Sequence, residues 1–191
     1  DYLDCDRNAL TSLDVSTNTA LISLRCEDNQ LTSLDVSLNT ALAYLYITNN
    51  QLTSLDVSSN TALTNLTCRR NNLTALDVSS NTALTHLSCD SNDLISLDVS
   101  NNTVLIWLNC ETNNLTSLDV SSNTALTNLF VHFNQLTYLN VKNGVTDAWT
   151  SFNAMNNSLT CIEVQDPDWA TANWTSGNGN IDAGVSFSDV C

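Results

Sequence analysis

Lysine and arginine number only five in this sequence, against 20 aspartates and glutamates, for a formal net charge of −15. General binding to nucleic acid or to an anionic membrane needs a basic footprint, so the balance argues against both as partners. Glycine is equally scarce, at four residues, which leaves no room for the glycine-rich repeat of calcium-binding β-solenoids. No apolar run approaches the roughly 20 residues of a membrane span, so no membrane insertion is expected. The chain does not begin with methionine or with a basic-then-apolar leader, and a processed or excised segment is expected. Hydrophobic residues, by contrast, make up 42% of the chain, and their regular spacing argues for a folded core.

That spacing is a repeat. Leu3, Leu24, Leu45, Leu66, Leu87, Leu108 and Leu129 fall 21 residues apart. An eighth unit follows a short insertion around Lys142 to Asp147 and places Phe152 in the leucine column. Each unit reads LxxLxCxxN followed by LxxLDVSxN, two halves of about ten residues. Leu-x-Cys and Leu-x-Val alternate inward and outward as short strands do. Ten residues cannot hold a strand, a helix and two turns, so each coil should have two strand-like sides joined by tight bends. Coils then stack at about 4.8 Å. Leu21, Leu24, Cys26, Leu31, Leu34 and Val36 of one coil can be buried only by its neighbours.

The LxxLxCxxNxL pattern resembles the leucine-rich repeat family. Its nested ten-plus-eleven period resembles the 21-residue bacterial class called IRREKO, over residues 1 to about 165. The resemblance implies a mainly β, right-handed solenoid of about eight coils over 1–165. It would carry a parallel sheet on one face, short strands or turns on the other, and little helix. The CIEV…ANW…FSDVC tail resembles the terminal cap of secreted bacterial repeat proteins, which implies a cap over 166–191 and a secreted or cell-surface location.

The residues of the tail support that cap. Asp166-Pro167 is a helix start, a capping side chain followed by proline at the first turn. Trp169, Trp174, Ile181 and Phe187 are then available to cover the last coil. Cys161 takes an outward position held elsewhere by Ser33, Ser54 or Ser96, and Cys191 ends the chain. A bridge between them would contribute about 3–4 kcal/mol in the chain-entropy model, and it implies an oxidising compartment. Cys5, Cys26, Cys68, Cys89 and Cys110 share an inner column with Ile47, Val131 and Ala154, and they read as compact hydrophobes.

Two asparagine columns, one from Asn8 to Asn134 and one from Asn18 to Asn123, should turn inward at the bends and satisfy backbone groups. Gly144 is expected to interrupt the second. Asp14, Asp35, Asp56, Asp77, Asp98 and Asp119 should stack outward on the LDVS side. Their mutual repulsion needs an offset, with hydrogen bonds from neighbouring Ser and Thr as the ordinary answer and bridging calcium as the other.

The outward positions around LxxLxC follow no such rule. They carry aromatics and four of the five basic residues in a chain where the LDVS side is nearly uniform. Exposed aromatics and arginines are the types enriched in binding hot spots. The candidate ligand-binding residues are therefore Arg25, Tyr44, Tyr46, Arg69, Arg70, His86, Trp107, Phe130 and His132. No catalytic constellation, cofactor or metal site is expected: the histidines lack a matched nucleophile, and no deep pocket is implied to raise the pKa of Asp90 or Glu111. The reading is a monomeric, non-enzymatic extracellular module that binds a protein. A carbohydrate-binding accessory module for a polysaccharide, and a structural spacer, are the alternatives.

Overall fold

The computed structural model describes all 191 residues. Its strands are three residues long, in chain order β1 Tyr2–Asp4, β2 Ser23–Arg25, β3 Tyr44–Tyr46, β4 Asn65–Thr67, β5 His86–Ser88 and β6 Trp107–Asn109. They continue as β7 Ser117–Asp119, β8 Asn128–Phe130, β9 Tyr138–Asn140, β10 Ser151–Asn153 and β11 Cys161–Glu163. Helix α1 (Pro167–Asn173) and β12 (Ser186–Ser188) close the chain. Strands β1 to β6, β8 and β10 form one parallel eight-stranded sheet, and β7, β9, β11 and β12 form a second. Equivalent residues of successive coils pair directly, Leu24 with Leu45 and Leu45 with Leu66, so each inward column is continuous.

The two sides of a coil differ in backbone as well as in sequence. The LxxLxC side is a strand in every coil, whereas the LDVS side becomes one only from Ser117 onward. The cause is local. Each ladder aspartate accepts the N–H of the serine two residues on, as Asp35 Oδ1 does from Ser37 at 2.9 Å, which turns the chain immediately after it. The serine hydroxyl and N–H also hold Asp35, Asp56 and Asp77 below the usual carboxylate range. For Asp14 and Asp98 the N–H has the larger share. Local donors therefore outweigh the repulsion between coils.

From the second coil onward the asparagine columns act as expected, whereas Asn18 in the first coil is exposed and makes no side-chain hydrogen bond. Asn71 donates to the carbonyls of Ile47 and Cys68, each at 3.0 Å, while its Oδ1 accepts the Leu52 N–H at 3.0 Å. In the second column Asn81 donates to Val57 and Asn60 carbonyls at 2.9 Å each. Gly144 does not break that column. Asn143, buried at the insertion, donates to the carbonyls of Asn123 and Leu126 instead. Asn143 comes one residue early in the repeat, through a tighter turn in which its N–H bonds the Val141 carbonyl, and it supplies the donor that the buried carbonyls require.

One buried cluster of 45 residues runs from Val15 through the coils into Ala170, Trp174 and Ile181, so the tail shares the solenoid's core. Asp166 caps α1 through the Trp169 N–H, and Trp174 stacks on Phe152 at 4.0 Å with 16° between the rings. Trp149 and Trp169 meet Trp174 edge-on at 5.5 and 5.4 Å. Tail backbone continues the ladders: Ala154 donates to the Asn180 carbonyl, and β12 pairs with β11 so that Phe187 covers Ile162. Cys161 and Cys191 form the disulfide that fixes this strand.

Every coil turns after its first strand through a residue of positive φ that is not glycine. The positive φ lets the turning residue keep its N–H in the inter-coil ladder, as Thr112 does to the His132 carbonyl at 3.0 Å. Asn49 and Asn156 suit this conformation, but a β-branched Thr112 (φ 53°) does not. Thr112→Asn is expected to stabilise the protein by about 1 kcal/mol. That corresponds to a Tm gain of about 2–4 °C. Calorimetry showing no gain, or a loss, would remove the strain argument at this bend.

Candidate functional site

The eight-stranded sheet places the variable residues in two lateral rows. Tyr44, Asn65, His86, Trp107 and Asn128 are register partners along one. Arg25, Tyr46, Thr67, Ser88, Asn109 and Phe130 form the other. The leucine between the two rows is fully buried from β2 to β8, which forces both flanking side chains outward. Small residues on β4 and β5 leave a depression of about 530 Å³ between Tyr46 and Trp107. Its floor includes Asn65, Thr67 and Ser88, and Arg69 and His86 stand at its edge. Trp107 continues outward into Phe130, with ring centroids 5.0 Å apart, which makes a stepped aromatic ridge.

The candidate residues are not equally free. Arg69 and Arg70 are exposed and have no carboxylate within 4.0 Å. Arg25 is engaged: its Nε contacts Asp6 at 3.0 Å, its Nη2 contacts Glu27 at 2.6 Å, and its guanidinium lies 4.9 Å from the Tyr46 ring centroid. It therefore braces Tyr46 from the neighbouring coil and neutralises two acids that would otherwise repel across the strand spacing. His132 lies 2.9 Å from Glu111 and against Phe133, outside the depression. His86 keeps its Nδ1 at 2.9 Å from the Thr85 hydroxyl. Tyr44 is exposed on the first row, and Arg70 stands at the bend with φ of 52°.

The Arg25 clamp escapes the sequence reading. Its signal is acids at Asp4, Asp6 and Glu27 around one arginine, which the 21-residue register brings onto adjacent strands. The floor of small residues had a clearer signal, in Asn65, Thr67 and Ser88 on consecutive units between two aromatic ones. The free cysteines have no part in the face. Burial pushes the thiols of Cys26, Cys68 and Cys110 up to about 12 and that of Cys89 well above its ordinary value, so they remain neutral core groups. No helix is long and apolar enough to cross a membrane.

No protein-family model and no curated protein sequence matches the chain. Solved structures do. The functional domain of InlJ from Listeria monocytogenes, which includes a cysteine ladder, is 40% identical with a TM-score of 0.65; the match covers 85% of this chain and 43% of that one. The chain is a leucine-rich-repeat solenoid. YopM, a leucine-rich effector protein from Yersinia pestis, is 26% identical with a TM-score of 0.69, covering 82% of this chain and 44% of that one. The internalin inlF from Listeria monocytogenes is 23% identical with a TM-score of 0.71, covering 88% and 56%. The solenoid thus spans about half the length of the proteins it matches. The stacked thiols of Cys68, Cys89 and Cys110 correspond in kind to the cysteine ladder named for InlJ.

Proposed function

We propose that this solenoid is a non-enzymatic, extracellular recognition module that docks a protein partner on the eight-stranded face. The observation that carries the reading is the gathering of Tyr44, Tyr46, His86, Trp107, Phe130 and Arg69 on one rigid surface around a shallow depression. A wide, shallow sheet face suits a macromolecular partner, because it offers area and hot-spot side chains without a deep pocket. The matching solenoids include a leucine-rich effector protein and an internalin. Location outside the cytosol rests on the Cys161–Cys191 bridge, which persists in an oxidising compartment.

The unpaired arginines define the chemistry expected of the partner: an acidic patch opposite Arg69 and Arg70, flanking an apolar contact over Trp107. Arg69→Glu with Arg70→Glu is expected to weaken capture of that partner by about 100-fold or more, through lost attraction and new repulsion. Asp56→Lys with Asp77→Lys, on the uniform side, should leave capture within about two-fold. Surface plasmon resonance against the captured protein distinguishes them. Equal loss from both pairs would mean that net charge, and not this face, governs binding.

A further inference from the structure

A second concavity, of about 480 Å³, lies where the last coil meets the tail, beyond the edge of the proposed protein-docking depression. Its volume falls in the range of small-molecule sites. None of its twelve lining residues is charged, in a protein with 20 acids. The depression on the sheet face offers a contrast, since Arg25, Glu27, Arg69 and His86 line it. Aromatic rings of Phe130, Trp149 and Trp169 border the terminal concavity, and amides and hydroxyls of Ser151, Asn153 and Asn178 fill the spaces between.

Several of those polar groups have no partner within the protein. The Asn178 side chain makes no intramolecular hydrogen bond; only its backbone N–H is used, by the Thr175 hydroxyl at 3.1 Å. Asn153 accepts the Met155 N–H through Oδ1, which leaves its Nδ2 free. Asn173 donates to the Trp169 carbonyl and leaves its Oδ1 free. The Ser151 hydroxyl and the Trp169 indole N–H are likewise unengaged. The frame around them is rigid. Asn180 ties Phe152 to the tail at 2.8 Å, Trp174 stacks beneath, and the disulfide fixes the last strand.

We infer that this concavity is a binding site for a neutral oligosaccharide. Amides and hydroxyls supply both donors and acceptors, as a sugar's hydroxyls require. Aromatic faces accept the apolar C–H face of a pyranose ring. The absence of charge disfavours anionic and cationic ligands, which would pay desolvation with no ion pair in return. The site shares Phe130 of β8 and the residues of β10 with the eight-stranded sheet but has no lining residue in common with the arginine-bearing depression, so it stands independently of the protein-docking proposal.

The test is isothermal titration calorimetry of the intact chain with hexasaccharides of cellulose, xylan, mannan, β-1,3-glucan and chitin, and with hexagalacturonate as the anionic control. At least one neutral hexasaccharide should bind with a Kd below about 1 mM, and hexagalacturonate should bind at least ten-fold more weakly. Asn178→Ala and Phe130→Ala, both away from the buried core, should each weaken binding about ten-fold or more at unchanged Tm. Arg69→Glu with Arg70→Glu should leave the sugar Kd unaltered. No binding by any neutral sugar in the panel, tighter binding of hexagalacturonate, or indifference to Asn178→Ala and Phe130→Ala would each overturn the inference.

Discussion

Asn81→Asp is expected to destabilise the solenoid by about 3–5 kcal/mol at neutral pH, although it exchanges one group for another of the same size. Asn81 is wholly buried, and its Nδ2 donates to the Val57 and Asn60 carbonyls at 2.9 Å each. Aspartate would turn two donors into acceptors and aim a charge at two carbonyl oxygens. Each orphaned carbonyl alone costs about 1–3 kcal/mol. The introduced carboxyl would titrate well above its unfolded value of about 3.9, because burial and facing oxygens disfavour the anion. An acid with a raised folded pKa is fully destabilising above that folded value, and the penalty shrinks as pH falls from it towards the unfolded pKa, below which it is gone. The difference in urea midpoint from the parent should therefore narrow between pH 7 and pH 3. Asn72→Asp, at an exposed position that makes no side-chain hydrogen bond, should stay within about 0.5 kcal/mol. A pH-independent difference at Asn81 would show that lost donors, and not the buried charge, set its size.

That column also shows what a repeating sequence makes legible. Asn39 to Asn123 were readable as structural because a side chain recurring at a bend, every 21 residues, has one economical role. The same logic misplaced the next member. Alignment by letter put Gly144 at the position, whereas the chain, with its insertion, brings Asn143 to the carbonyls of Asn123 and Leu126. Counting residues fails where the turn before the asparagine tightens by one residue, and the requirement to satisfy buried carbonyls does not. The terminal aromatics divide in the same way. Trp174 and Phe187 could be assigned to the cap from their place in the tail. Trp149 lies in the coil's own sequence, and its edge-on contact with Trp174 depends on the path of the insertion.

The face itself was legible as a set of outward positions, because alternation about a buried leucine fixes which side chains emerge. Their partnerships were not. Arg25 looked as available as Arg69, yet the 21-residue register sets it between Asp6 of one coil and Glu27 of its own. Arg69 has Thr48 and Asp90 as its neighbours along the corresponding column, and both of those are buried, so it remains exposed. One arginine therefore braces Tyr46 while the other is left to meet a partner. That distinction depends on lateral contacts between coils, which no single repeat contains.

Removal of the terminal bridge is the second large perturbation. Cys161→Ser with Cys191→Ser is expected to cost about 2–5 kcal/mol, since the bond closes a segment 30 residues long that otherwise must be ordered by packing alone. The loss should be unevenly distributed. A coil contacts only its neighbours, so stability in a solenoid is close to a sum of local terms. Strand β12 has β11 as its only partner and stands at the sheet's edge, while β3 to β5 have a coil on each side. Amide hydrogen exchange should therefore accelerate at Ala154, Val164 and Ser186, whose N–H groups donate to or from the tail region. Protection at Ile47, Cys68 and Cys89 should change little. Trp174, buried against Phe152 in the native protein, would report the same event through red-shifted fluorescence at denaturant concentrations where the central coils remain folded. Uniform acceleration along the chain would mean that the 45-residue core melts as one cooperative unit, with the cap holding every coil and not only the last.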